Sequence, residues 1–311
     1  MTHTHNKSHN ISVIGAGLMG HGIALVFARH GHNIIVQDPE TNALASLHAR
    51  IRESLVNLSV DEASIPSILA CVQTEAALDA AVANADFVIE AAPENLALKK
   101  SLFAQIEQLA PAHCVLASNT SVIPITSIME DLKTKERAVG THWWNPPHII
   151  PLVEVIRTQW TDEETVESTY QLLADSGKSP VRVEKDVPGF IGNRLQHALW
   201  REAISLVENG ICTADAVDLV VKQSFGRRLA VLGPMENADL VGTDLTQAIH
   251  EQVLHDLESS PAPSPLLSTL VDSGKLGMKS GEGFQKWKST DAQASAKKVS
   301  KHLLQLEKIL E

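Results

Sequence analysis

The chain has 311 residues, 44% of them hydrophobic, which is enough for one large domain and a smaller one. A formal charge of −11 opposes attraction to nucleic acid or to an anionic membrane, so neither is expected as a partner. No run approaches the roughly 18 apolar residues that span a bilayer, MTHTHNKSHN lacks the apolar centre of a signal peptide, and Cys71, Cys114 and Cys212 form neither a zinc pattern nor a disulfide framework; the expectation is a cytoplasmic protein.

Residues 1–10 read as a disordered polar tail in which His3, His5 and His9 carry no role. From Ile11 onward, short β-branched runs alternate with longer segments of helical period, the rhythm of βαβ units and a doubly wound parallel sheet. The first predicted strand, Ile11 to Gly15, runs into Gly15-Ala16-Gly17-Leu18-Met19-Gly20 and then a helix. Glycines so placed make a tight turn, let a pyrophosphate approach the backbone and let the helix pack on the strand. A tight turn without ligand is the alternative, but the next strand, Ile34 to Asp38, ends in the acidic residue that accepts hydrogen bonds from an adenosine ribose. A carboxylate there repels the extra phosphate of NADP, so NAD is the expected cofactor.

Leu44, Leu47, Ile51, Leu55 and Leu58 set up an amphipathic helical stretch, and further strands are predicted at Cys71 to Thr74 and Phe87 to Glu90. Leu98, Leu102, Ile106 and Leu109 are predicted to form the buried stripe of the next helix. The strand Val115 to Ser118 delivers Ser118-Asn119-Thr120-Ser121 to the carboxyl edge of the sheet, where ligands bind in open parallel sheets; a simple turn is the other reading of such a cluster. Ala138 to His142 ends in His142-Trp143-Trp144-Asn145-Pro146-Pro147, and Glu154 lies on the following strand, Leu152 to Ile156. Oxidising a secondary alcohol needs a base for the hydroxyl proton, and imidazole held by a carboxylate suits that task.

Val181 to Val183 is the last predicted strand, and the domain boundary is placed at Asp186. Residues 187–311 read as an all-helical second domain, opened by Pro188-Gly189 and a long helix to Asn209-Gly210, with Asn193 in its first turn. Asn193 is aimed at a substrate oxygen or serves only as a helix-terminus hydrogen bond. Arg227-Arg228 offers a carboxylate-binding pair if either faces a substrate, with a solvated surface as the alternative.

Taken in order, VIGAGLMG, Asp38, Glu94-Asn95 with Lys99, ASNTS, the His142 block, LVEV, VPGFIGNR, Gly233-Pro234 and KSGEGF before Trp287 resemble the 3-hydroxyacyl-CoA dehydrogenase family. The resemblance implies a Rossmann domain over residues 11–186, a smaller helical domain that mediates a homodimer, NAD as cofactor and a small-molecule substrate. It implies that His142 is the catalytic base and Glu154 its partner, that Ser121, Asn145 and Asn193 position substrate, and that Gly15, Gly17, Leu18, Met19, Gly20, Asp38, Glu94, Lys99 and Asn119 contact the cofactor. The implied reaction is oxidation of an L-3-hydroxyacyl-CoA to the 3-oxo thioester. An alternative stays open, because Pro39 to Pro66 offers a polyphosphate only Arg50 and Arg52 and also carries Asp61-Glu62. The same chemistry on a small free acid of carnitine, gulonate or pyridine-carboxylate type fits that segment.

Overall fold

A computed structural model describes residues 8–310, so His3 and His5 lie outside the described residues. Eight strands form one sheet: β1 (Asn10–Ile14), β2 (Asn33–Gln37), β3 (Val72–Glu75), β4 (Phe87–Glu90), β5 (Val115–Ser118), β6 (Ala138–Trp143), β7 (Leu152–Ile156) and β8 (Ser179–Val183). Each predicted strand has its counterpart, with ends displaced by a residue or two where they differ. Their spatial order is β3-β2-β1-β4-β5-β6-β7-β8. The pairs are parallel except β6 with β7, which run antiparallel. The order reverses between β1 and β4, and that switch point opens a crevice at the carboxyl ends of the strands.

Alternation along each strand divides the core between the two faces of the sheet. Ile11, Val13, Val36 and Trp143 join one buried cluster, while Ile14, Val88, Leu116 and Ala138 join the other. Against the first face packs α1 (Leu18–Arg29), buried continuously from Gly20 to Ala28. Gly20 permits that contact, because a Cβ there would meet the Gly15 carbonyl oxygen at 1.7 Å.

The amino-terminal segment differs from the expected tail at its inner end. His9 packs edge-on against Phe87, its carbonyl accepts from Asn33 N at 2.9 Å, and Asn10 already belongs to β1. The helix Leu96–Leu109 also differs from the predicted stripe. Leu98 is 40% exposed and Leu109 similarly so, and the buried residues are Lys99, Phe103 and Ile106. The inward face is turned because Lys99 is drawn into the sheet by an acidic partner, an attraction that a purely apolar stripe does not register.

The chain divides into compact units 1–194 and 195–311, so the Val187–Arg194 segment belongs with the sheet rather than with the helices after Asp186. The second unit is helical apart from two isolated bridges near Glu282. No residue is buried in the helices Ala214–Gln223, Pro234–Val241, Thr243–Val253 and Pro265–Asp272, and apolar side chains such as Leu240, 74% exposed, stand on their surfaces.

Candidate active site

Strand register brings the two principal candidates together. His142 on β6 and Glu154 on β7 are direct antiparallel partners, so both side chains leave the same face of the sheet. His142 Nδ1 lies 2.6 Å from Glu154 Oε2, and both residues are buried. The other carboxylate oxygen, Oε1, accepts from the backbone amides of Ile191 at 2.8 Å and Gly192 at 3.1 Å. Burial pushes the Glu154 carboxyl up, but hydrogen bonds from His142, Gly192 and Ile191 outweigh it, and the net effect is a lowered pKa. An ionised Glu154 can only accept, so the Nδ1 atom carries the proton and Nε2 presents the lone pair of a base. Trp144 and Phe190 flank the ring, with centroids 5.3 and 5.5 Å away.

A second constellation lies at the ends of β4 and β5. Asn119 Oδ1 accepts from Trp143 N at 2.9 Å, tying this loop to the strand that carries His142. Glu94 Oε1 accepts from the Thr120 hydroxyl at 2.6 Å and from the amides of Ser121 and Val122 at 3.0 and 3.2 Å. The Ser121 carbonyl in turn accepts from Asn193 Nδ2 at 2.8 Å. Burial raises the Glu94 pKa, yet the Thr120 hydroxyl, the two amides and Lys99 together hold it below the usual value. Asn145, by contrast, is exposed and makes no hydrogen bond among the described residues.

Glu90 was not singled out in the sequence, although an acid closing the apolar run Phe87–Glu90 is a readable signal. It is fully buried, accepts from Lys99 Nζ at 2.7 Å and from the Ser118 hydroxyl at 2.6 Å, and lies beside a Lys99 that is itself 1% exposed. Lys99 Nζ also approaches Glu94 Oε2 at 3.5 Å. The expectation of a cofactor contact from Lys99 therefore meets an ammonium already held between two carboxylates.

The glycine turn fits a dinucleotide. Gly15 adopts φ +108°, and a Cβ there would meet the Ala91 carbonyl oxygen at 2.7 Å, so the turn lies tightly against the chain leaving β4. Helix α1 begins at Leu18, followed by Met19 and Gly20, with no side chain capping it and no acid in its first turn, which leaves its positive end suited to phosphate. Gly17 stands open, since a Cβ there would meet nothing within 4 Å. Asp38 Oδ2 accepts from Ala16 N at 2.7 Å, bracing the turn from the end of β2. Arg50 braces it from the other side, donating to the carbonyls of Ala16, Gly17 and Ala43 at 2.6, 3.2 and 2.9 Å. Among the described residues no cluster of side chains suited to a metal ion occurs, and no helix is long and apolar enough to cross a membrane. In the second unit, Arg227 Nη1 donates to Gln223 Oε1 at 3.3 Å.

The sequence matches the 3-hydroxyacyl-CoA dehydrogenase NAD-binding domain over residues 10–187 and the 3-hydroxyacyl-CoA dehydrogenase C-terminal domain over residues 189–287. The chain belongs to the 3-hydroxyacyl-CoA dehydrogenase family. It is therefore an NAD-dependent oxidoreductase acting on a CH–OH group. Within this family it is 35% identical, over 97% of its own length and 98% of the relative's, to a 5-formyl-3-hydroxy-2-methylpyridine 4-carboxylate 5-dehydrogenase of Mesorhizobium japonicum. A solved structure under that enzyme's name, described as an NAD+ dependent dismutase, superposes with a TM-score of 0.91 at 34% identity, covering 98% of this chain and 99% of the other. The (S)-3-hydroxybutyryl-CoA dehydrogenase of Ralstonia eutropha superposes at 0.76 with 32% identity, covering 91% of this chain and all of the other.

Proposed function

We propose that this dehydrogenase acts on a small substrate without CoA, oxidising a hydroxyl or the hydrate of an aldehyde, with His142 as general base and Glu154 as its orienting partner. The contact between His142 Nδ1 and Glu154 is the observation that carries the catalytic part. As the C–H bond of the carbinol breaks, its electron pair leaves as hydride and the hydroxyl proton passes to His142 Nε2, so that the carbon becomes a carbonyl. NAD, when bound, supplies the hydride acceptor. Glu154 offsets the positive charge that then develops on the imidazole, and its own anionic state is secured by the amides of Ile191 and Gly192. Asn193 and Ser121 orient the reacting oxygen. Gly15, Gly17, Leu18, Met19 and Gly20 receive the pyrophosphate, and Asp38 receives the ribose.

The absence of CoA from the proposed substrate is argued from charge. A CoA tail carries several phosphate charges that need basic partners. In the segment from Pro39 to Pro66 one of the two arginines, Arg50, has its guanidinium committed to three backbone carbonyls, while Glu53, Asp61 and Glu62 add negative charge. The closer likeness to the pyridine-carboxylate enzyme, with a TM-score of 0.91 against 0.76 for the 3-hydroxybutyryl-CoA dehydrogenase, supports the same reading. Oxidation of an L-3-hydroxyacyl-CoA is the second reading, favoured by the match to both domains of the family. NADH formation from NAD, followed by absorbance with purified protein, separates the two. Turnover of a pyridine-carboxylate aldehyde or alcohol, carnitine or gulonate without turnover of 3-hydroxybutyryl-CoA is expected; the reverse result would move the chain to the thioester branch.

The exposed apolar surface of the helical unit supports a homodimer formed through residues 195–311, since large exposed apolar patches mark interfaces. Sedimentation velocity at low micromolar concentration is expected to give twice the mass of 33.7 kDa.

A further inference from the structure

We infer that Trp144 sets the substrate class at this site by presenting its indole face to a planar aromatic acid beside His142. The inference rests on the small-substrate reading above and narrows it. Alternation along β6 separates the two tryptophans that follow the histidine. His142 leaves the sheet on the side of its partner Glu154, whereas Trp143 leaves on the other and is buried, edge-on against Phe27 at 5.5 Å with the Lys178 ammonium 5.4 Å from its ring. Trp143 therefore belongs to the core. The next residue returns to the histidine: the Trp144 ring lies 5.3 Å from that of His142, tilted by 54°.

Gly192 admits the indole to that place. A Cβ on residue 192 would meet Trp144 Cζ2 at 2.4 Å, Cε2 at 3.2 Å and Cη2 at 3.3 Å, so the benzene edge of the indole lies directly on the glycine. The same glycine gives its amide to Glu154 Oε1, so one helix start positions both the indole and the base pair. The two rings that flank His142 differ in access. Phe190 is fully buried, while Trp144 keeps part of its surface open, so a substrate that brings its hydroxyl to His142 Nε2 meets the indole rather than the phenyl. Trp144 Nε1 is shielded from solvent and has no hydrogen-bond partner among the described residues. An aliphatic or phenyl side chain would avoid the cost of that unpaired donor, so the use of the indole lies in its broad π face. Such a face attracts a flat ring in an offset stack and gives an open aliphatic chain no comparable preference. A cationic substrate is less well served, because both Glu154 oxygens are already occupied by His142 and two backbone amides.

Calorimetry with pyridine-4-carboxylate as the probe, at saturating NAD, and steady-state kinetics with a pyridine-carboxylate alcohol or aldehyde test this in Trp144→Leu and Trp144→Phe. Trp144→Leu is expected to raise both the Kd of the probe and the KM of the substrate by about five- to tenfold, with the NAD Kd within about twofold of the parent value. Trp144→Phe, which keeps an aromatic face, is expected to bring both back to within about threefold, and that recovery separates stacking from mere filling of space. The KM of gulonate, which has no ring to stack, is expected to move by less than about twofold in either variant. If Trp144→Leu fails to fold, Trp144→Met, longer and equally without a ring, carries the same expectation. Equal probe affinity in the parent and the leucine variant would overturn the inference, as would a loss confined to carnitine, which would make the indole a cation site. Failure of the small-substrate reading is distinguishable, because it would appear as turnover of 3-hydroxybutyryl-CoA by the parent chain and of no free acid. Turnover of gulonate or carnitine, with probe binding indifferent to Trp144→Leu, would instead remove the stacking role and leave that reading standing.

Discussion

The tautomer of one imidazole decides the chemistry at the residue scale. Glu154 accepts two backbone amides on one oxygen and the His142 ring on the other, so it has no role except acceptor and Nδ1 must donate. Glu154→Gln keeps the shape but alters this logic. With its oxygen still taking the two amides, the new NH2 group points at Nδ1 and makes that atom an acceptor. The proton then moves to Nε2, where the base was needed. Glu154→Gln and His142→Gln are therefore each expected to lower kcat by roughly a hundredfold or more, with NAD affinity nearly unchanged, and the double variant is expected to lose little beyond either single one. A multiplicative double loss in steady-state kinetics would show that the two act independently. Asp38 offers a separate test, because the proposed ribose acceptor also braces Ala16 N. Asp38→Ala should weaken NAD binding and relax discrimination against NADP, read as the ratio of kcat/KM for the two cofactors.

At the scale of elements, the entry into the helix Gly192–Glu208 matters most, since its first amide reaches Glu154. A Cβ at Gly192 would meet Trp144 Cζ2 at 2.4 Å, so Gly192→Ala must push the indole or the helix start aside. Either displacement lengthens the Glu154 contacts. The variant is expected to lose about 1–3 kcal/mol of stability from overpacking and to lower kcat together with it, measured by denaturant unfolding and steady-state assay. Wild-type kinetics in the alanine variant would show that the close packing has no bearing on the pair. The strands were legible in the sequence because β-branched runs bounded by turn residues leave few other ways to be buried. So was the alignment of His142 with Glu154 on neighbouring strands, though not their direct antiparallel register, which depends on the reversal at β7. The inward turn of Lys99 was not legible, because an apolar stripe reports hydropathy and the energy here comes from pairing with a buried acid nine residues earlier, at the end of β4. Glu94 followed the same pattern: its residue type was noticed, whereas its engagement with the Ser121 amide arises only once β4 and β5 lie side by side.

Across the whole chain, buried histidines set how the fold responds to acid. His32 accepts from His9 N through Nδ1 at 3.2 Å and meets the Ser176 hydroxyl through Nε2 at 3.4 Å. Burial, reinforced by His9 and His30, takes its pKa down to about 4, with Asp175 opposing. His148 is likewise taken down to about 4 by burial, then by His21, Lys178 and Arg29, and burial also lowers His21, whose ring centroid lies 5.9 Å from that of His148. A histidine with a depressed folded pKa binds more protons when unfolded, so stability falls as pH drops from about 6.5 towards 4. The lowered carboxyls of Glu94, Glu107 and Glu154 have the opposite ionic form but the same direction, and their contribution is lost only below their ordinary range near 4.5. Between those two limits the decline belongs to the histidines. The melting temperature is therefore expected to fall steadily from pH 7 to pH 5 on the order of several degrees, and the double variant His32→Gln, His148→Gln should flatten that interval while keeping the steeper loss at lower pH. An equal slope in the double variant, with the same melting temperature at neutral pH, would show that His32 and His148 do not set the response in that interval.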